Sequence, residues 1–231
     1  MNIVSSERAT RVCAWSAGAC AIAMLAIYLG TGAGQEGLQT FQSPAVYAER
    51  LLQHPAGLRA LLTLDELFVV LYLATFFSLG TTLLRRGAPR LVLGAALGAL
   101  ALLGLLDLAE NLHFLVMLGR AEQGIPLSVD EIALQVWESL LKFHVGYVGI
   151  FLLGCALPRE TAAARLLANL FWFVNVPVGV LIPVVPEALA GLLLLVRFAF
   201  FVVGFALVGW AFGPPAGLSP RSAAAGSGAR A

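Results

Sequence analysis

Lysine is almost missing from this chain: Lys142 is the only one, and thirteen arginines supply the rest of the fixed positive charge. Charge of either sign is scarce too, at 12% of 231 residues against 60% hydrophobic. So little charge excludes a soluble domain of this length, which carries about a quarter of its residues as Asp, Glu, Lys and Arg. The net charge of +1, with arginines scattered at segment ends, excludes nucleic acid as a partner, because phosphate backbones call for a basic face. Cysteine is equally sparse. Cys13, Cys20 and Cys155 lie in apolar stretches without CxxC or metal-ligand spacing, so they are expected to be packing residues and no metal site is expected.

Sequence motifs of known chemistry are absent as well: there is no HExxH, no GxSxG and no phosphate-binding glycine loop, so no cofactor or named reaction is implied. A haem shared by His113 and His144 fails on depth, since the two fall about 10 Å and 24 Å from the same end of the bundle at 1.5 Å per residue.

Long apolar runs are what the chain has instead. Six segments, approximately 12–31, 65–84, 91–119, 130–157, 164–184 and 187–212, each reach the roughly 20 residues needed to cross a hydrocarbon core of about 30 Å. The expected fold is all-α, a polytopic integral membrane bundle of six transmembrane helices forming one domain over 1–212. The remainder, 213–231, is rich in Pro, Gly, Ser and Ala and is expected to be a disordered cytoplasmic tail. The first segment has a short basic flank, Arg8 and Arg11, that also suits a signal peptide, but its apolar run exceeds a signal core and a retained helix is expected. One set of loops and ends holds nine arginines and the alternate set three, Arg50, Arg59 and Arg120. The positive-inside rule then puts both termini in the cytoplasm and the protein in the cell's inner membrane. Trp15, Trp172 and Trp210 fall at the cytoplasmic ends, as interfacial anchors do. Residues 43–52 read as an amphipathic helix on the outer surface, a lid or a tether.

Two acidic groups have a structural explanation. Thr63 to Glu66 and Ser128 to Glu131 match the capping box, so Asp65, Glu66, Asp130 and Glu131 are expected to cap helix starts. The remaining intramembrane ionisable residues cost about 2.5 to 3.5 kcal/mol each on insertion scales and mark a functional site. Asp107, Glu110 and Asn111 share one face by i, i+3, i+4 spacing, and Gln135, Glu138 and Lys142 share one stripe of the next helix. Depth counting places Asp107 opposite Lys142 and Glu110 opposite Glu138, with Arg197 and Asn175 at a similar level. Asn175 has a second explanation in the kink expected around Pro177. Three acids against two bases leave one negative charge too many, so one carboxyl is expected to carry a proton, Glu110 or Glu138.

Three functions suit such a cluster. The first is a proton-linked carrier or receptor for a small polar or amphipathic ligand. The second is a membrane-embedded enzyme acting on a lipid or isoprenoid by carboxyl acid/base chemistry. The third is an assembly subunit whose ion pairs are structural. Beyond the lipid bilayer and such a ligand, a homo-oligomer remains open, since Gly94 and Gly98 form a GxxxG pair that either dimerisation or packing within the bundle would use.

Overall fold

The computed structural model describes residues 3–182, 184–185 and 187–212, and the segment read as a disordered tail lies outside them. Among the described residues every regular element is helical: α1 Ile3–Thr31, α2 Pro44–Gln53, α3 Pro55–Arg85, α4 Arg90–Glu122, α5 Val129–Ala156, α6 Ala162–Leu170, α7 Val176–Leu181 and α8 Glu187–Ala211. Six spans are long and apolar enough to cross a membrane, with α6 and α7 joined into one of them. This is the architecture of a multi-pass membrane protein. Its outer surface agrees, with Leu91, Trp137, Phe173 and Trp210 each more than two-thirds exposed, which suits lipid and not water.

Short, glycine-closed turns set the order of the helices. Gly87 and Gly124 have φ of 84° and 70°, a conformation that side chains with a Cβ resist. At each, the amide two residues beyond the helix cap returns to the carbonyl three before it, Ala88 to Leu83 and Ile125 to Arg120, both at 3.0 Å. That closure turns α3 back along α4 and α4 back along α5. At the second turn Ser128 Oγ accepts from the Glu131 amide at 3.1 Å, completing the expected capping box. Arg120 then donates to both carboxylate oxygens of Glu131 at 2.7 Å, tying α4 to α5.

The first expected box is not a helix start. α3 begins at Pro55, with proline in its first turn, where the missing amide costs nothing. Thr63 lies inside the helix with its hydroxyl turned back to Arg59 O at 2.9 Å. Asp65 is therefore a buried residue of α3 and not a cap.

The spans form a ring in which each packs on the next: α1 on α3, α3 on α4, α4 on α5, α5 on the α6–α7 span, that span on α8, and α8 back on α1. A π-helical turn, Phe171–Asn175, interrupts the fifth span just before Pro177. The widened turn accommodates a residue that has no amide to donate and whose ring crowds the preceding carbonyls. α2 does more than rest on a surface: Tyr47 and Leu51 are fully buried against Leu58, Leu62, Phe114, Met117, Leu118 and Ile132, so α2 plugs one end of the ring. Gly94 and Gly98 face outward with open space before them, so their small size serves no packing within this chain.

Candidate functional site

Lys142 is buried on α5 and is held by two carboxylates from one face of α4. Its Nζ lies 2.6 Å from Asp107 Oδ1 and also donates to Glu110 Oε2. Tyr72 of α3 donates to the other oxygen of Asp107 at 3.0 Å. Glu110, with no exposed surface, accepts from Ser139 and at 3.4 Å from both Gln135 and Gln39. The amide of Gln135 also donates to Ser139 at 3.0 Å. A charge this deep is sustained only where its remaining lone pairs are occupied, and Glu110 meets that condition.

A second carboxylate extends the network sideways. Asp65 Oδ2 accepts from Asn111 at 2.9 Å and from Gln35 at 3.4 Å. Gln35 and Gln39 belong to the turn between α1 and α2, which lies over the network like a cover. Tyr47 fastens that cover from α2, its hydroxyl lying 3.0 Å from Leu38 O and 2.9 Å from Gln135 Oε1. Burial pushes the Tyr47 phenol above its ordinary value, with Glu110 adding to the effect, so it acts as a neutral donor.

The network forms one wall of a cavity of about 170 Å³ to which all six spans contribute. Asp65, Asp107, Lys142, Gln35, Glu36, Gln39, Asn175 and Arg197 reach its lining, and most of the rest is apolar. Beside the network the lining is aromatic: Phe68 of α3 meets Tyr72 at 5.5 Å, packs edge-on to Phe205 of α8 at 5.7 Å and lies against Phe201 at 5.8 Å. Arg197 of α8 also reaches the cavity. Its Nη2 stands 4.0 Å from Glu36 Oε1, its guanidinium lies 5.2 Å from the Phe143 ring, and its buried Nε has no partner among the described residues.

Of the expected site residues, Asp107, Glu110, Gln135 and Lys142 come together as one network, Asn111 bonds Asp65 beside it, and Arg197 and Asn175 reach the same cavity. Glu138 does not join them. It turns outward between α4 and α5 and pairs with His113 at 2.8 Å, both half-buried. The reason is angular: Glu138 sits about 60° round the helix from Gln135, on the side away from Ser139, at 100° per residue. The expected crowding of Glu110 by Glu138 is therefore replaced by Ser139 against Glu110. His113, which cannot share a haem with His144, is the partner of Glu138.

The residues missed in the sequence are Asp65, Tyr72, Ser139, Tyr47, Gln35, Glu36 and Gln39. Asp65 had a usable signal, because Leu58, Leu61, Leu62, Asp65, Phe68, Val69 and Tyr72 continue one helical stripe, all of it buried. The turn residues had none, since 32–43 carries no periodicity. Among the described residues no three His, Cys, Asp or Glu side chains are grouped to hold a metal. No known protein family, curated protein or solved structure matches the chain.

Proposed function

We propose that the protein is a proton-linked carrier or receptor for a small amphipathic ligand, held in the cavity inside the ring of six spans. One observation carries this reading: Asp65, Asp107, Lys142 and Arg197 line a cavity whose remaining surface is largely apolar and aromatic. A purely structural ion pair needs no cavity beside it, and an assembly subunit would turn its charges outward to a partner. The acid/base enzyme reading drew on Glu110 and Glu138 as adjacent carboxyls, but Glu138 of α5 pairs with His113 and does not meet Glu110 of α4, so no observation favours it. Within the proposal, the protein lies in the inner membrane with both termini cytoplasmic, following its arginine distribution. The plugged end then faces outward.

Proton linkage is assigned to Asp65. Asp107 and Glu110 share Lys142, and Arg197 lies beside Glu36, so Asp65, bonded to amides, is the carboxyl no cation holds. In this reading Asp65 takes the switching role expected of Glu110 or Glu138. Infrared difference spectra of the protein in nanodiscs, recorded as the pH is stepped, test this. A carboxyl band that responds to pH in the wild type is expected to vanish in Asp65→Asn and persist in Glu138→Gln. A band that persists in Asp65→Asn removes Asp65 from the role. Orientation is tested separately: a cysteine at Gly124 should react with an impermeant reagent from the periplasm, and one at Gly87 only from the cytoplasm.

A further inference from the structure

Arg197 is the one cation of the cavity that is not fully paired. Lys142 is engaged by two carboxylates and lies 5.0 Å from the Phe143 ring. Among the described residues the one carboxylate near Arg197 is the distant Glu36, 4.0 Å away, and the buried Nε of Arg197 has no hydrogen-bond partner. A guanidinium presents five donors in a fork that fits a carboxylate with two parallel hydrogen bonds. Leaving a buried donor of that fork unused is costly, and a ligand oxygen would satisfy it. Glu36 sits on a three-residue turn, Glu36–Leu38, with its side chain about one-third exposed. Gln35 and Gln39 on either side of it reach the network at 3.4 Å, while Tyr47 holds Leu38 at 3.0 Å.

From this we infer that the ligand is an amphipathic carboxylate that displaces Glu36 from Arg197 and lays its hydrocarbon tail along the aromatic wall of Phe68, Phe201 and Phe205. The inference rests on the proposed ligand-binding role of the cavity and specifies its chemistry. Exchange of one carboxylate for another leaves the charge of the cavity unchanged, so the acidic network does not oppose it. A cationic amphiphile would add charge beside Arg197 and leave Nε unpaired. A neutral alcohol would offer one oxygen and no charge.

The test uses the full-length protein in nanodiscs of zwitterionic lipid, with dodecanoate carrying a photoreactive diazirine at its tail end, beside the matching alcohol and amine. Mass spectrometry of the labelled peptides reads where each probe binds. The carboxylate is expected to label α3 and α8 peptides containing Phe68 and Phe201–Phe205, in competition with unlabelled dodecanoate. Arg197→Gln should lower that labelling about tenfold or more, as loss of charged hydrogen bonds does. Glu36→Gln, a change on a partly exposed side chain outside the spans, should raise it roughly two- to fivefold by removing the competing carboxylate. If the alcohol or amine labels these peptides as well as the carboxylate does, the cavity binds amphiphiles but the anion assignment is wrong. Unchanged labelling in Arg197→Gln, or reduced labelling in Glu36→Gln, also overturns it. If none of the three probes labels the cavity above lipid-facing peptides, the inference and the ligand-binding role fall together.

Discussion

The two walls of the cavity are built on different principles. The wall of α3, α4 and α5 is polar and locked: Lys142, Asp107, Glu110, Gln135, Ser139 and Tyr72 are tied together, with donors matched to acceptors. The part that α8 forms with Phe68 of α3 is aromatic, ring against ring, with a single loosely paired arginine. The first can hold charge at membrane depth because each group is pre-satisfied, and the second can exchange partners because Arg197 is not. A cavity between two such walls suits a molecule with a polar head and an apolar body.

The sharpest way to break this contrast is to remove the lysine. Lys142→Met leaves Asp107 and Glu110 buried without a cation and is expected to cost about 3 to 5 kcal/mol of stability. Neutralising the acids as well, with Asp107→Asn and Glu110→Gln, should recover most of that loss, because neutral amides can remain hydrogen-bonded. Unfolding of both variants in nanodiscs measures the difference, and equal losses would mean that charge pairing does not hold the polar wall together. On the aromatic side Phe68→Ala should cost about 2 kcal/mol, since Phe68 meets Tyr72, Phe201 and Phe205 and each ring pair contributes about 0.5 to 1.5 kcal/mol. Unlike the lysine variant, it should not be rescued by neutralising acids across the cavity. The smallest change is expected for Glu138→Gln, about 0 to 1 kcal/mol, because its partner His113 is itself half-buried and both stand outside the cavity. A large loss there would place Glu138 among the core groups after all.

Part of the site was legible before the structure. Depth along antiparallel helices was enough to pair Asp107 with Lys142, because a short turn and a rise of 1.5 Å per residue leave little freedom. Angle was harder. Gln135, Glu138, Ser139 and Lys142 all lie near one stripe, and charge drew the assignment to Glu138, while the packing of α4 on α5 turned Ser139 inward instead. Asp65 was hidden by a local pattern: Thr63 and Glu66 have capping-box spacing, but the helix had already begun at Pro55, so the pattern fell inside a helix where it caps nothing. Six spanning helices were readable from apolar length alone, yet their closure into a ring with α8 against α1 was not, because no sequence periodicity says which non-consecutive helices meet. The cover formed by Gln35, Glu36 and Gln39 was invisible because the stretch that carries it has no periodicity.

Gly204 offers the most direct test of the central claim, that the cavity is a ligand site. It lines the cavity on α8, and a Cβ there would meet only the edge of Phe200 at 3.8 Å, so a larger side chain can enter the space without pushing on the backbone. Native mass spectrometry of the protein ejected from its own membranes would compare wild type with Gly204→Leu. The account predicts an amphiphile bound to the wild type and lost from Gly204→Leu, with thermal stability kept. The same bound mass on both proteins, or none on the wild type, would contradict it.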